Sequence, residues 1–291
     1  VICCEPPRLA GYQETRKAAG GIEPIDPDRP AMMAQVAKAR RALSGELWRV
    51  GVVISERVLA LQGTRDTAKA ATDDDEAAAE ADRILSGIDF AKELTGAIAI
   101  MQPRMVDAAR LGALAGLDQI GIQSPPAELV TVLGDSTMAW AQDRAAELVG
   151  MRRKKDGTFF ANPSAKWAID SPTRDAVRAA VTNALAVGAS SDELARAVLE
   201  CGAFGKDRAD IIARTEMAIA DSKGAMISYR KSGVVQGKYW STSEDDRVSE
   251  GCQEREEQGV IGIDDLFVPG GIDTTPGHPR CRCAVLPRLM P

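Results

Sequence analysis

SPTRDAVRAAVTNALAVGASSDELARAVLE, residues 171–200, carries the plainest helix punctuation in the chain. Ser171-Pro172 reads as an N-cap followed by proline at the first helical position, where a missing N–H costs nothing. Val177, Val181 and Leu185 follow at four-residue steps, one face of a 3.6-residue repeat, and Gly188 supplies the stop. Ser190 and Glu193 then fit a capping box, and Leu194 and Val198 give the second helix its apolar face. A longer helix follows from about Lys206 to Ser232, with Ile212, Ile219 and Met226 spaced by sevens and Gly233 at its end.

Working upstream, helical spacing continues. Leu43, Leu47, Val50 and Ile54 mark a helix within Pro30 to Gln62. Asp73, Asp74 and Asp75 place negative charge at the start of a helix through Ala77 to Leu85. A further helix runs from Asp89 to about Leu117, kinked or broken near Pro103. After Pro125-Pro126, a long helix carries Leu129, Leu133, Met138, Ala141 and Leu148 and stops at Gly150. The basic turn Arg152 to Gly157, followed by Phe159, Phe160, Trp167 and Ile169, reads as a short hairpin or a loop.

Downstream the character changes. Val234 to Ser241 reads as a strand, Gly259 to Gly271 as a glycine-rich loop, and Cys283 to Leu286 as a second strand. The expected fold is mainly α, a helical body with a small C-terminal α+β module containing Cys and His. The expected regions are an irregular arm over 1–29, an N-terminal helical region over 30–150, a central helical region over 151–233, and the small β/loop module over 234–291.

Composition agrees. Hydrophobic residues make up 45% of the 291 and aromatics only 4%, which favours alanine-rich helices over sandwiches or barrels. The formal net charge of −6 argues against a dedicated DNA binder, whose phosphate contacts need Lys and Arg. Apolar runs such as Ala97 to Met101 are far too short to cross a bilayer, so no membrane partner is expected. Val1 to Pro7 lacks the charged-then-apolar pattern of a secretion signal. In that setting a reducing compartment is expected, and clustered cysteines read as thiols or metal ligands.

The chemistry-bearing residues gather near the end. His278 is the single histidine, and it stands within five residues of Cys281 and Cys283, with Cys252 across the glycine-rich loop. Sulfur and imidazole donors in that number can hold a tetrahedral zinc ion, and a small module with little apolar surface would gain folding stability from one. Spacing alone leaves other readings open: cysteines buried as small hydrophobes, or a disulfide from Cys252 to Cys281 or Cys283.

The ordered string Arg214-Thr215-Glu216, Gly233, Lys238-Tyr239-Trp240-Ser241-Thr242, Asp246-Arg247-Val248, Cys252, Gly259, Phe267 and His278-Pro279-Arg280-Cys281-Arg282-Cys283 resembles the C-terminal domain of the phage Mu F-like head-morphogenesis proteins. The resemblance covers roughly residues 170–291. It implies a minor capsid protein of a tailed phage or prophage, assisting head morphogenesis and DNA packaging or delivery near the portal. The implied partners are the portal protein, the major capsid protein, or both, with viral DNA as a further one. The implied location is the virion head, capsid interior or portal vertex, reached from the host cytoplasm during assembly. One departure stands out: family members commonly carry Cys-x-x-Cys after the Arg-Val pair, and here Ser249 replaces the first cysteine. Cys252, His278, Cys281 and Cys283 would still make four ligands for one structural zinc. Arg214, Glu216, Asp246 and Arg247 are the expected members of a polar network linking helix to module, and Trp240 is expected to pack over it.

Catalytic constellations are missing. A histidine-dependent triad would have to use His278 itself, and neither a His-Glu-x-x-His helix nor a phosphate loop occurs. The chain therefore reads as non-enzymatic. Two rival readings remain: a zinc-dependent enzyme with Glu216 or Asp246 as base, and a zinc-knuckle-like nucleic-acid module using Arg247, Arg280, Arg282 and Arg288.

Overall fold

A computed structural model describes residues 22–26, 28–62 and 74–290. Among these, the chain is 61% helical, with nine helices and two small sheets. In order they are α1 (Pro30–Gln62), α2 (Asp74–Ser86), α3 (Phe90–Glu93), α4 (Gly96–Gln119), α5 (Ala127–Leu148), β1 (Met151–Arg153), β2 (Phe159–Ala161), α6 (Asp170–Ala186), α7 (Ser191–Glu200), α8 (Lys206–Ser232), β3 (Val235–Ser241), α9 (Glu250–Glu257), β4 (Ile261–Gly262) and β5 (Ala284–Leu289). The expected mainly α fold with a small α+β end is the observed one.

Details differ from the sequence reading, each for a local reason. Helix α6 begins at Asp170, one residue before Ser171, because Ile169 is already held by its N–H on the Leu148 carbonyl. Ile169 is the N-cap and has no side-chain cap bond; Pro172 lies inside the first turn, whose N–H groups have no helical acceptor in any case. The helix expected from Asp89 is interrupted at Leu94 and Thr95, ahead of Pro103, where Thr95 Oγ1 donates to the Lys92 carbonyl at 2.7 Å. Pro103 sits within α4. Of the acidic triplet, Asp74 and Asp75 lie in the first turn of α2, while Asp73 is outside the described residues. The segment after Gly150 is a hairpin, Met151 opposite Ala161 and Arg153 opposite Phe159.

The chain divides into two compact units, interleaved along the sequence. One comprises Ala37–Pro103 and Gln142–Ala213. Its core takes Leu43, Leu47, Val50, Ile54 and Val58 from α1, Ala77, Ala81 and Ile84 from α2, Val177 and Val181 from α6, and Leu194 and Val198 from α7, all buried. Arg178 clamps α6 to α2 through both nitrogens on Asp82, at 2.6 and 2.7 Å. The capping box at Ser190 and Glu193 forms as expected.

The other unit comprises residues up to Val36, Arg104–Ala141 and the chain from Arg214 on. Here α4 and α8 meet through their smallest residues. A Cβ on Gly112 would stand 1.9 Å from the Asp221 carbonyl oxygen, and one on Gly224 1.9 Å from that of Ala109. Ser228 Oγ donates to the Ala113 carbonyl at 2.6 Å across the same seam. Arg29 forks onto Asp221, tying the stretch before α1 to α8. The sheet has the order β4-β3-β5, antiparallel throughout, with Tyr239 opposite Leu286 and Trp240 opposite Val285. Its core joins Leu117, Met226, Tyr229, Trp240, Cys252, Phe267 and Val285.

Candidate metal centre

Cys252 enters the site from the first turn of α9. Ser249 caps that helix, its Oγ accepting from the Cys252 N–H at 3.3 Å, and Cys252 is fully buried. Cys281 and Cys283 arrive from the other direction, on the loop leading into β5. Cys281 N–H donates to the His278 carbonyl at 3.1 Å, and Arg280 turns the chain with φ of 64°. The three sulfurs lie within 4.8 Å of one another, and Cys252 Sγ and Cys281 Sγ are 3.8 Å apart. Three cysteines so placed can bind a metal ion.

Without a metal, the surroundings favour negative sulfur at Cys281 alone. A hydrogen bond from the Cys283 thiol brings Cys281 down to about 5 against the opposing effect of burial, while the same bond and burial drive Cys283 far up. Burial also raises Cys252. Two buried donors face the cluster. Arg255 places Nη1 3.9 Å from Cys252 Sγ, and the Trp240 indole N–H favours the Cys283 thiolate. Arg255 is fixed by Nε and Nη2 on the Pro269 carbonyl, at 3.1 and 2.8 Å, and lies over the Trp240 ring at 5.2 Å. Trp240 in turn meets Phe267 edge-on, with ring centres 5.3 Å apart.

His278 is half-buried and stands outside the group of three sulfurs; its Nδ1 is 2.9 Å from the Pro279 carbonyl oxygen. Glu216 is buried on α8, whereas Arg214 is exposed on the same helix. Asp246 and Arg247 are both exposed; the Arg247 side chain is 74% accessible and pairs with Asp245 at 3.7 Å. Asp245 also accepts from Arg282, and that hydrogen bond, with Arg247 nearby, holds its carboxyl at about 2. The acidic partner of Arg247 and Arg282 is thus Asp245.

A second cluster lay hidden in the sequence. Asp273 accepts from Lys223 at 2.6 Å, Arg230 at 2.5 Å and Lys238 at 2.7 Å. Lys238 is fully buried, with its ammonium 5.4 Å from the centre of the Phe267 ring. Arg255 was equally hidden, since EGCQEREE reads as a solvated charged run.

Residues 175–286 match the family model described as phage Mu protein F like protein. This stretch is phage Mu F-like. The Mu F-like segment runs from within α6 to within β5, so it contains all three clustered cysteines, Arg255 and Asp273. The family is one of phage head-morphogenesis proteins, structural in character. No curated protein and no solved structure matches the chain. Among the described residues no helix is long and apolar enough to cross a membrane.

Proposed function

We propose that this chain is a minor head protein of a tailed phage or prophage, held near the portal vertex, where it assists head morphogenesis and DNA packaging or delivery. The observation that carries this reading is the Mu F-like match over residues 175–286. The net charge of −6 suits docking on the portal or major capsid protein better than wrapping of DNA. The module supplies a rigid end for such docking, because ionic and aromatic ties fix its short elements to α8 and β3.

Quantitative mass spectrometry of purified particles, scaling this chain against the portal protein, tests the proposal. A reproducible low copy number is expected, together with defective heads on deletion. Absence from both particles and assembly intermediates, with normal heads in the deletion strain, would overturn it.

A further inference from the structure

We propose that Cys252, Cys281 and Cys283 bind one zinc ion as thiolates, and that buried Arg255 supplies the positive charge that leaves the site neutral. This inference is independent of the head-protein reading, because it stands on the geometry of four side chains.

The spacing comes first. Around tetrahedral zinc with Zn–S bonds of about 2.3 Å, neighbouring sulfurs sit about 3.8 Å apart. Cys252 and Cys281 already have that separation, 3.8 Å, and Cys283 lies within 4.8 Å of both. A disulfide would need about 2.05 Å between sulfurs, so the pair is two separate thiols in hydrogen-bond contact, at a distance one metal ion can bridge without moving them.

The charge balance is the independent observation. Arg255 is only 6% exposed, and among the described residues its hydrogen bonds go to the Pro269 carbonyl and to Cys252 Sγ, with no carboxylate paired to it. A buried guanidinium needs a negative charge nearby, and the sulfurs are what it faces. The indole N–H of Trp240, fully buried in the same core as the cysteines, has no hydrogen-bond partner among the described residues. Three bare thiolates would overcharge the pocket. Three thiolates, one divalent cation and one arginine sum to zero when the fourth ligand is neutral. Thiolate donors select a soft or borderline ion over magnesium or calcium, and a tetrahedral sulfur-rich site is typical of zinc. The three sulfurs leave the fourth position to a neutral ligand such as water, since His278 stands outside their group.

The test uses the full chain, purified without chelator. Elemental analysis should find one zinc per chain, and X-ray absorption should find three sulfur neighbours. Cobalt titration should give sulfur-to-metal charge-transfer absorption, lost in Cys281→Ser. Arg255→Met should weaken zinc binding roughly ten- to a hundredfold, measured against a chromophoric chelator, with Arg255→Lys milder. Should the variants misfold, the cobalt and absorption measurements on the unaltered chain still decide the matter. A folded, reduced chain that takes up neither metal, or bound zinc without sulfur neighbours, would refute the site. Unchanged affinity in folded Arg255→Met would refute the charge role.

Discussion

Replacing Gly112 with alanine sets two opposing effects against each other, and the geometry decides between them. In a helix, alanine is favoured over glycine by about 1 kcal/mol. Yet the new Cβ would stand 1.9 Å from the Asp221 carbonyl oxygen, where a carbon–oxygen contact needs about 3.3 Å. Both partners are backbone in regular helices, so neither can swing aside; α4 and α8 must part by about 1.4 Å. Overpacking of this kind costs about 1–3 kcal/mol, and stretching the Ser228–Ala113 hydrogen bond, now 2.6 Å, adds about 1 kcal/mol. The net expectation is a destabilisation of about 2 kcal/mol, shared by Gly224→Ala, which meets the Ala109 carbonyl at the same 1.9 Å. Gly134 is the control: it lies within α5 with nothing inside 4 Å of its notional Cβ, so Gly134→Ala should gain up to about 1 kcal/mol. Urea denaturation followed by circular dichroism reads all three as shifts of the midpoint. The reasoning fails if Gly112→Ala unfolds at or above the midpoint of the unaltered chain, or if Gly134→Ala loses as much as Gly112→Ala does.

Other expectations can be checked on the same material. Asp273→Asn strips Lys223, Arg230 and buried Lys238 of their shared carboxylate and should cost on the order of 3 kcal/mol in the same denaturation assay. Burial pushes the Asp273 carboxyl up, but Arg230, Lys223 and Lys238 together outweigh it and hold it well below the usual carboxylate range. A depressed carboxyl stabilises above its unfolded pKa of about 3.9 and loses that contribution as pH falls through the folded value, so an acid titration of stability below about pH 4 should be shallower in Asp273→Asn. Ser190→Ala removes the capping box of α7 and should cost about 1 kcal/mol, with faster amide exchange confined to that helix's first turn.

Much of the helical body was legible because its apolar residues repeat at helical spacing: Leu43, Leu47, Val50 and Ile54 are all fully buried, as are Val177 and Val181. Boundaries were less legible where tertiary contacts set them. Ile169 starts α6 because its N–H reaches Leu148, a partner distant in sequence. Helix α9 escaped notice because it has almost no apolar face; Cys252 and Arg255 are its buried residues, and it is set by the Ser249 cap and by what surrounds it. The cysteine cluster could be suspected from composition alone, since its residues crowd the last segment. Arg255 could not: in a run of Gln, Glu and Arg nothing distinguishes the arginine that turns inward.

Strand β3 explains why these hidden residues matter together. Alternation along a strand sends Lys238 and Trp240 to one face and Tyr239 to the other, where it packs with Leu286. Phe267 touches both residues of the first face, 5.4 Å from the Lys238 ammonium and 5.3 Å from the Trp240 ring. Lys238 leads through Asp273 to Lys223 and Arg230 on α8, and Trp240 leads through Arg255 to the cysteines. One aromatic ring therefore separates a carboxylate gathering three cations from three sulfurs facing one cation. A module with a three-stranded sheet and a short helix has little apolar area to bury, and these opposite charge clusters supply directional ties that a small core cannot. The same arrangement makes it intolerant of partial loss: removing Asp273 leaves buried cations, and removing the sulfurs leaves buried Arg255, each more costly than the absence of the whole cluster.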